Sequence, residues 1–393
     1  MKPNRSLLLL SVCQALFLTN NVTFIAINGL VGLRLAPVGW MATLPVMGYV
    51  VGGALAAAPV ARLQARFGRQ RSFQIGLVVA ALTAAGGALA VSLGSFWGVL
   101  AATVLAGFYN ANAQLYRFAG PELVAPEHKA KAISLVMAGG VAGAFIGPNL
   151  ANATRDWLPA PFAGAYVALV GVALLGLAVM SLIRFPAHVP AAPGSDQGRS
   201  VAELARQPAF VVAVAAGALA YGVMNLLMAA TPLAMQRCGL PFSDAALVIQ
   251  WHVLGMFVPA FFTGHLIQRV GILPVMAAGA LLNLACIAIA LTGLEFERFL
   301  AALLLLGVGW NFLFTGATTL LTTTYRPQER MRAQGAMDFC VFSTTAVTSF
   351  ASGALVTTQG WFLLNLGSLL PLALIVAALA WLWRRSAAAQ AVA

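Results

Sequence analysis

The sequence predicts an all-α integral membrane protein made of two six-helix bundles related by an internal repeat. Three observations predict it. Of the 393 residues, 61% are hydrophobic and only 8% are charged, with a mean hydropathy of +0.90. A water-soluble domain carries about 25% charged residues, so lipid must solvate most of this chain. Apolar runs of membrane-crossing length recur from end to end. Two motifs also occur twice: Leu63/Arg66/Gly68 against Leu266/Arg269/Gly271 at an offset of 203, and Pro126 to Ala132 against Pro327 to Ala333 at an offset of 201.

The elements follow in order. Residues 7–30, after Lys2 and Arg5, form an apolar run too long for a cleaved signal and without a convincing cleavage site, so they read as a retained first span. Spans at 38–60 and 73–93 flank the first copy of the Leu/Arg/Gly motif. Those at 97–118, 132–152 and 162–184 complete an N-terminal bundle over 1–185. Residues 186–207, with Pro186, Pro190, Pro193, Gly194 and Gly198, read as a linker with a short helical piece from Val201 to Arg206. Spans at 208–232, 245–263, 272–293, 299–323, 334–356 and 361–383 then make a C-terminal bundle over 208–393. Twelve spans of about 20 residues use roughly 240 residues, which leaves no room for a soluble domain of ordinary size.

The net charge of +12 is topological. Of the 22 lysines and arginines, 18 fall in alternate loops and at the termini, and only Arg34, Arg155, Arg237 and Arg298 fall on the other side. By the positive-inside rule both termini and the linker are expected in the cytoplasm, the protein crossing an inner membrane many times. Nucleic acid is not an expected partner. The four cysteines, Cys13, Cys238, Cys286 and Cys340, have no metal-ligand spacing and read as packing residues. No cofactor or metal is expected. The chain lacks G-x-x-x-x-G-K-[ST], H-E-x-x-H and G-x-S-x-G, so neither ATP hydrolysis nor the commonest membrane hydrolase chemistry is expected, and the protein is not read as an enzyme.

Polar groups at membrane depth face protein or a cavity. They concentrate in the first span (Gln14, Thr19, Asn20, Asn21, Thr23, Asn28), the fourth (Tyr109, Asn110, Asn112, Gln114, Tyr116, Arg117), the seventh (Tyr221, Asn225), the eighth (Gln250, Trp251, His252) and the tenth (Trp310, Asn311, Thr315, Thr318, Thr319). Tyr109-Asn110 and Trp310-Asn311 repeat an aromatic–amide pair at an offset of 201. Such a pair offers a stacking face and a two-way hydrogen-bonder to a ligand; equally, each Asn can bond a neighbouring helix. His252 can change charge near neutral pH or stand as a neutral, hydrogen-bonded side chain. Asp338, the one acid placed within a span, is a proton site, a gate partner or a helix-cap residue.

These features resemble the major facilitator superfamily over essentially the whole chain. The family's loop motif is G-x-L-a-D-r-x-G-r-r. The first copy here keeps Leu63, Arg66, Gly68, Arg69 and Arg71, with Ala61 for the Gly and Ala65 for the Asp. The second keeps Gly264, Leu266, Arg269 and Gly271, with Gln268 for the Asp. Gly143-Ala144-Phe145-Ile146-Gly147-Pro148 resembles the G-x-x-x-G-P core of the fifth-helix motif associated with antiporters, although Ser134, Ala151 and Asn152 stand where flanking glycines are missing. In the family the first, fourth, seventh and tenth helices line a central cavity, and four of the five polar spans are those helices. The resemblance implies substrate contacts at Asn20, Asn21, Tyr109, Asn110, Gln114, Tyr221, Asn225, Trp310 and Asn311. It implies conformational roles for Arg66, Gly68, Arg117, Gly143, Gly147, Pro148, Arg269 and Gly271. His252 and Asp338 are the proton-coupling candidates. The expected activity is secondary transport of a small organic solute by alternating access. Proton-coupled efflux leads on the fifth-helix motif; the alternative is an uptake permease, symporter or facilitator, for a nutrient such as a vitamin or siderophore-like compound. A non-transporting receptor is remote, because the linker and tail are short. A monomer in the lipid bilayer is expected.

Overall fold

The computed structural model describes residues 5–125, 129–186 and 198–392, and among them there is no strand. The helices are α1 (Arg5–Leu35), α2 (Leu44–Ser92), α3 (Phe96–Ala113), α4 (Tyr116–Ala119), α5 (Lys129–Thr154), α6 (Ala163–Ser181), α7 (Val201–Leu204), α8 (Pro208–Arg237), α9 (Phe242–Phe257), α10 (Ala260–Val270), α11 (Ile272–Ala290), α12 (Phe296–Thr322), α13 (Arg330–Thr358), α14 (Gly360–Gly367) and α15 (Leu369–Val392). Among the described residues nine helical stretches are long and apolar enough to cross a membrane, or ten if the bent pair α9–α10 is one span. Large apolar side chains stay outside the fold along these helices, including Leu55, Leu82, Leu105 and Leu174. They are the lipid-facing surface.

At 49 residues, α2 would be about 73 Å long as one rod, more than twice the hydrocarbon thickness of about 30 Å. It is divided at Gly68, whose φ of 77° and ψ of 177° are non-helical and suit only a residue without a Cβ. The two arms double back along α3. A methyl group added at Gly52 would stand 1.9 Å from the Val104 carbonyl oxygen, while one added at Gly98 would stand 2.9 Å from Ala90 Cβ. Counting the arms separately and adding α3, whose hydropathy Asn110 and Asn112 lower, brings the crossings to the twelve expected.

The chain divides into two compact units, Met1–Pro193 with Gly239–Gln250, and Gly194–Cys238 with Trp251–Ala393. In unit 1, α3 lies along both arms of α2. Close backbone approach also joins α5 to α1: methyl groups at Gly139 and Gly143 would stand 2.1 Å from Ser11 O and 2.3 Å from Ala15 O, and one at Gly147 would stand 2.9 Å from Thr19 O. Thr23 Oγ1 donates to Gly147 O at 3.0 Å. Helix α6 packs on α2, where Gln70 Nε2 donates to Ile183 O at 2.8 Å. Leu7, Leu10, Phe17, Phe73, Leu77, Tyr109 and Tyr116 fill the core between these helices. Asn149 Nδ2 donates to Gln250 Oε1 at 2.6 Å, which ties the first part of α9 to this unit.

Unit 2 repeats the doubling-back. Gly271, with φ 93° and ψ 165°, separates α10 from α11, and both lie along α12. A methyl group at Gly307 would meet His252 O at 2.3 Å, and one at Gly316 would meet Met276 Cγ at 2.3 Å. Helix α8 packs on α13, where added methyl groups at Gly217 and Gly222 would meet Met337 Cε at 2.3 Å and Thr344 Cγ2 at 2.5 Å.

Several sequence boundaries are corrected. The eighth span is broken, α9 and α10 being bent by 42°, because Pro259 stands at the break without an N–H to continue the helix. Both Leu/Arg/Gly motifs lie on helix ends rather than in loops, with only Gly68 and Gly271 leaving helical geometry. The twelfth span is interrupted at Ser368, between α14 and α15. The short linker helix forms as α7, closed by a capping box in which Ser200 and Glu203 exchange bonds. Pro190, Pro193 and Gly194 of the linker, and Pro126, Glu127 and His128 of the second repeated motif, lie outside the described residues.

Candidate substrate site

In unit 1, Asn20 is buried. Asn21 Nδ2 donates to the Tyr49 hydroxyl at 3.2 Å, and Tyr49 stacks on Phe24 at 5.2 Å with the rings 17° apart. Tyr109 meets Phe17 edge-on at 5.7 Å and is part of the apolar core. Gln114 is half-buried at the C-cap of α3. The two amides near the end of α3 differ. Asn112 Nδ2 donates to Ser72 O at 2.8 Å, so it joins α3 to the second arm of α2. Asn110 is buried, and its Oδ1 has no hydrogen-bond partner.

In unit 2, Trp310 and Phe314 stack one turn apart on α12, with ring centroids 5.1 Å apart and planes 11° apart. Tyr221 of α8 meets both rings edge-on at 5.4 Å. The Trp310 indole N–H is buried and has no partner. A three-ring aromatic cluster with a buried, unpartnered donor suits a planar ligand that carries a hydrogen-bond acceptor. Phe314 was not among the sequence candidates; its spacing of four residues from Trp310 on one helix is the signal that pairs them.

The other amides of unit 2 are occupied. Asn225 Nδ2 donates to Thr345 O (3.2 Å), Thr348 Oγ1 (3.0 Å) and Ser349 Oγ (2.9 Å), which joins α8 to α13. Asn311 Nδ2 donates to Met256 O at 2.7 Å, and its Oδ1 accepts from Thr263 Oγ1 at 2.7 Å. His252 is fully buried, and its Nδ1 lies 2.8 Å from the Leu303 carbonyl. A carbonyl only accepts, so Nδ1 carries a proton, and Nε2 is unpartnered. Asp338 is exposed on α13, about two turns beyond its start at Arg330.

The conformational candidates also separate. Gly143 and Gly147 are contact points of α5 with α1, Pro148 lies inside α5, and Gly68 and Gly271 make the two reversals. Arg66 is exposed, with its guanidinium 5.2 Å over Phe67. Arg117 lies 4.8 Å over Phe118, and Arg269 is exposed in the last turn of α10. Where the family motif has an Asp, Ala65 and Gln268 leave none; in the first copy Arg69 instead pairs with Glu122 at 2.8 Å and bonds Gln64.

The best-formed polar cluster was not a sequence candidate. The Glu329 side chain, 2% exposed, pairs with Arg199 at 2.7 Å and also accepts the backbone N–H groups of Arg199 (3.0 Å) and Arg326 (2.9 Å). Arg332 Nη1 donates to Gly198 O at 2.6 Å, and Gln207 Nε2 to Thr324 O at 3.0 Å. The end of the linker is thereby fastened to the turn between α12 and α13. The Arg199 guanidinium, then the Arg326 N–H, hold the Glu329 carboxyl far below the usual carboxylate range, and Glu329 in turn raises Arg199. Among the described residues no three His, Cys, Asp or Glu side chains converge as a metal site.

The sequence profile of the Major Facilitator Superfamily matches residues 7–293 and 213–393. The riboflavin transporter RfnT of Brucella anthropi is 40% identical over 364 residues, covering 92% of this chain and 91% of that protein. The uncharacterized MFS-type transporter YdeG of Bacillus subtilis is 28% identical, covering 94% of this chain and 90% of its own. Among solved structures, the nucleoside transporter NupG superimposes with a TM-score of 0.76 at 11% identity over 95% of this chain and all of that one. The POT family transporter PepTSo superimposes with a TM-score of 0.75 at 11% identity, covering 96% and 98%. At such low identity the structural likenesses establish the fold alone.

Proposed function

Because the chain belongs to the Major Facilitator Superfamily and is a multi-pass membrane transporter, we propose that it takes up riboflavin or a closely similar flavin. The observation that carries this reading is the aromatic surface of Tyr221, Trp310 and Phe314 with its unpartnered indole N–H. An isoalloxazine ring is planar, aromatic and edged with carbonyl acceptors, so it complements that surface in stacking and in hydrogen bonding. The 40% identity to a riboflavin transporter over nearly the full length supports the same ligand class.

This reading replaces proton-coupled efflux with the uptake alternative. The efflux expectation rested on Gly143 to Pro148, and the contacts of Gly143 and Gly147 with Ala15 and Thr19 account for these glycines as close helix packing. In this reading His252 is structural, its ring held by the Leu303 carbonyl, and uptake does not depend on its protonation. The membrane is a bacterial inner membrane with both termini cytoplasmic, as the basic asymmetry suggests; reporter fusions after Arg199 and at the C-terminus should both report cytoplasm.

The test is uptake of labelled riboflavin by a riboflavin-requiring bacterium that lacks its own transporter. Expression of this chain should restore growth on low riboflavin and saturable uptake, and Trp310→Ala should remove most of it. Normal membrane expression with no gain in uptake would overturn the proposal.

A further inference from the structure

We propose that Thr318 recognises the hydroxylated side chain of the substrate, one helical turn beyond the aromatic cluster that holds its ring. The inference rests on the flavin reading above, and its structural support lies within unit 2 alone. Helix α12 has exposed residues near its two ends, Glu297, Arg298 and Thr322, and otherwise only at Thr318. It exposes no large apolar side chain, unlike the helices that show Leu82, Leu105 and Leu174 to lipid. Thr318 is thus an accessible polar position on a helix that is otherwise enclosed by protein.

The neighbours of α12 fix the direction of that position. Gly309 and Gly316 turn toward α11, where added methyl groups would meet Asn283 Oδ1 and Met276 Cγ, each at 2.3 Å. Trp310 and Phe314 turn toward Tyr221 of α8, and Ala317 Cβ would stand 3.5 Å from a methyl group on Gly217 of the same helix. Asn311 turns toward α9 and α10, bonding Met256 and Thr263. With about 100° of rotation per residue, Thr318 falls between Phe314 and Asn311 in direction. It therefore opens on the arc between α8 and α9–α10, on the side away from α11. Four residues rise about 6 Å along a helix, so Thr318 lies within reach of a chain extending from a ring held at Phe314. Its hydroxyl donates to the Phe314 carbonyl, and with its one proton engaged it can only accept from a ligand. A phosphate or carboxylate, which only accepts, finds no donor there; an alcohol O–H does find an acceptor. Riboflavin presents such groups on the ribityl chain of its middle ring.

The test compares riboflavin with lumiflavin, which has the same ring and a methyl group in place of the ribityl chain. Binding to the purified full-length protein is followed by flavin fluorescence. The wild type should prefer riboflavin. Thr318→Val keeps the shape of the side chain but removes the hydroxyl, and it should weaken riboflavin about fivefold, the worth of one neutral hydrogen bond, with lumiflavin unchanged. Thr318→Ala should do the same, while Thr318→Ser, which keeps the hydroxyl, should hold the wild-type preference. Thr319→Val is the control: Thr319 also bonds back to its own helix, at Thr315 O, but points about 100° away, and its loss should leave both affinities unchanged. Unchanged riboflavin affinity in Thr318→Val and Thr318→Ala, an equal loss for lumiflavin, or no preference in the wild type overturns the assignment while leaving the flavin reading intact. Absence of riboflavin binding to the wild type overturns both.

Discussion

Replacing Gly143 with alanine tests whether the fifth-helix glycines act through packing. The added methyl would stand 2.3 Å from Ala15 O, 2.8 Å from Leu18 Cβ and 2.8 Å from Thr19 N. Two of these are backbone atoms of a helix interior and cannot rotate away. Reaching an ordinary contact near 3.5 Å would part α1 and α5 by about 1 Å. Overpacking of this kind costs about 1–3 kcal/mol, and rigid backbone neighbours place it near the upper figure. The better helix propensity of alanine returns about 1 kcal/mol. The net loss of about 2 kcal/mol corresponds to about 4–8 °C in Tm for a unit of roughly 200 residues. Gly171 of α6 is the internal control, because nothing lies within 4 Å of a methyl group there; Gly171→Ala should hold or raise Tm. The assay is thermal unfolding of the purified protein in one detergent, with riboflavin transport measured alongside. The direction of transport should be unchanged in Gly143→Ala. A Gly143→Ala protein as stable as the wild type, or an equal fall in Gly171→Ala, would refute the packing argument.

Three further outcomes are expected. The Glu329 carboxyl is depressed in the folded protein, so its contribution is present above the unfolded value of about 4.3 and is lost as pH falls below that toward the folded value; wild-type Tm should drop steeply below about pH 4.5, while Glu329→Gln should melt lower at neutral pH and show a flatter acid limb. Parallel curves would count against the Arg199 pair. Gly271 sits at a φ of 93°, so Gly271→Ala should cost about 1–3 kcal/mol, read as reduced thermal stability, whereas Gly264→Ala, in open space on α10, should be neutral or mildly stabilising. Asn225→Ala should lower Tm by removing the bonds to Thr345, Thr348 and Ser349 yet leave riboflavin affinity within a few-fold; a large affinity loss in a protein of wild-type stability would make Asn225 a ligand residue.

The transporter fold was legible in the sequence because membrane insertion is written in composition and length. An 8% charged chain cannot be solvated by water, and lipid demands helices whose backbone bonds close on themselves. The duplication was equally legible: Gly68 and Gly271 stand at the same spacing and adopt the same glycine-only geometry, since a tight reversal constrains one residue regardless of its surroundings. What a polar residue does was not legible. Asn110, Asn112, Asn225 and Asn311 are identical letters in similar apolar contexts, yet three join helices and one keeps an open oxygen. Transport direction was not legible in Gly143 to Pro148 either, since Gly143 and Gly147 meet the backbone of α1, a contact that carries no direction in itself. Glu329 lies within the repeated Pro327 to Ala333 motif, but its partner Arg199 is far away in sequence, so the pair itself left no local pattern. Periodicity and composition report on solvent and on the chain's own turns, which are local. A hydrogen-bond partner is supplied by whichever helix packs alongside, and the Thr263 hydroxyl of α10 gives the Asn311 amide oxygen the donor that the Asn110 oxygen lacks.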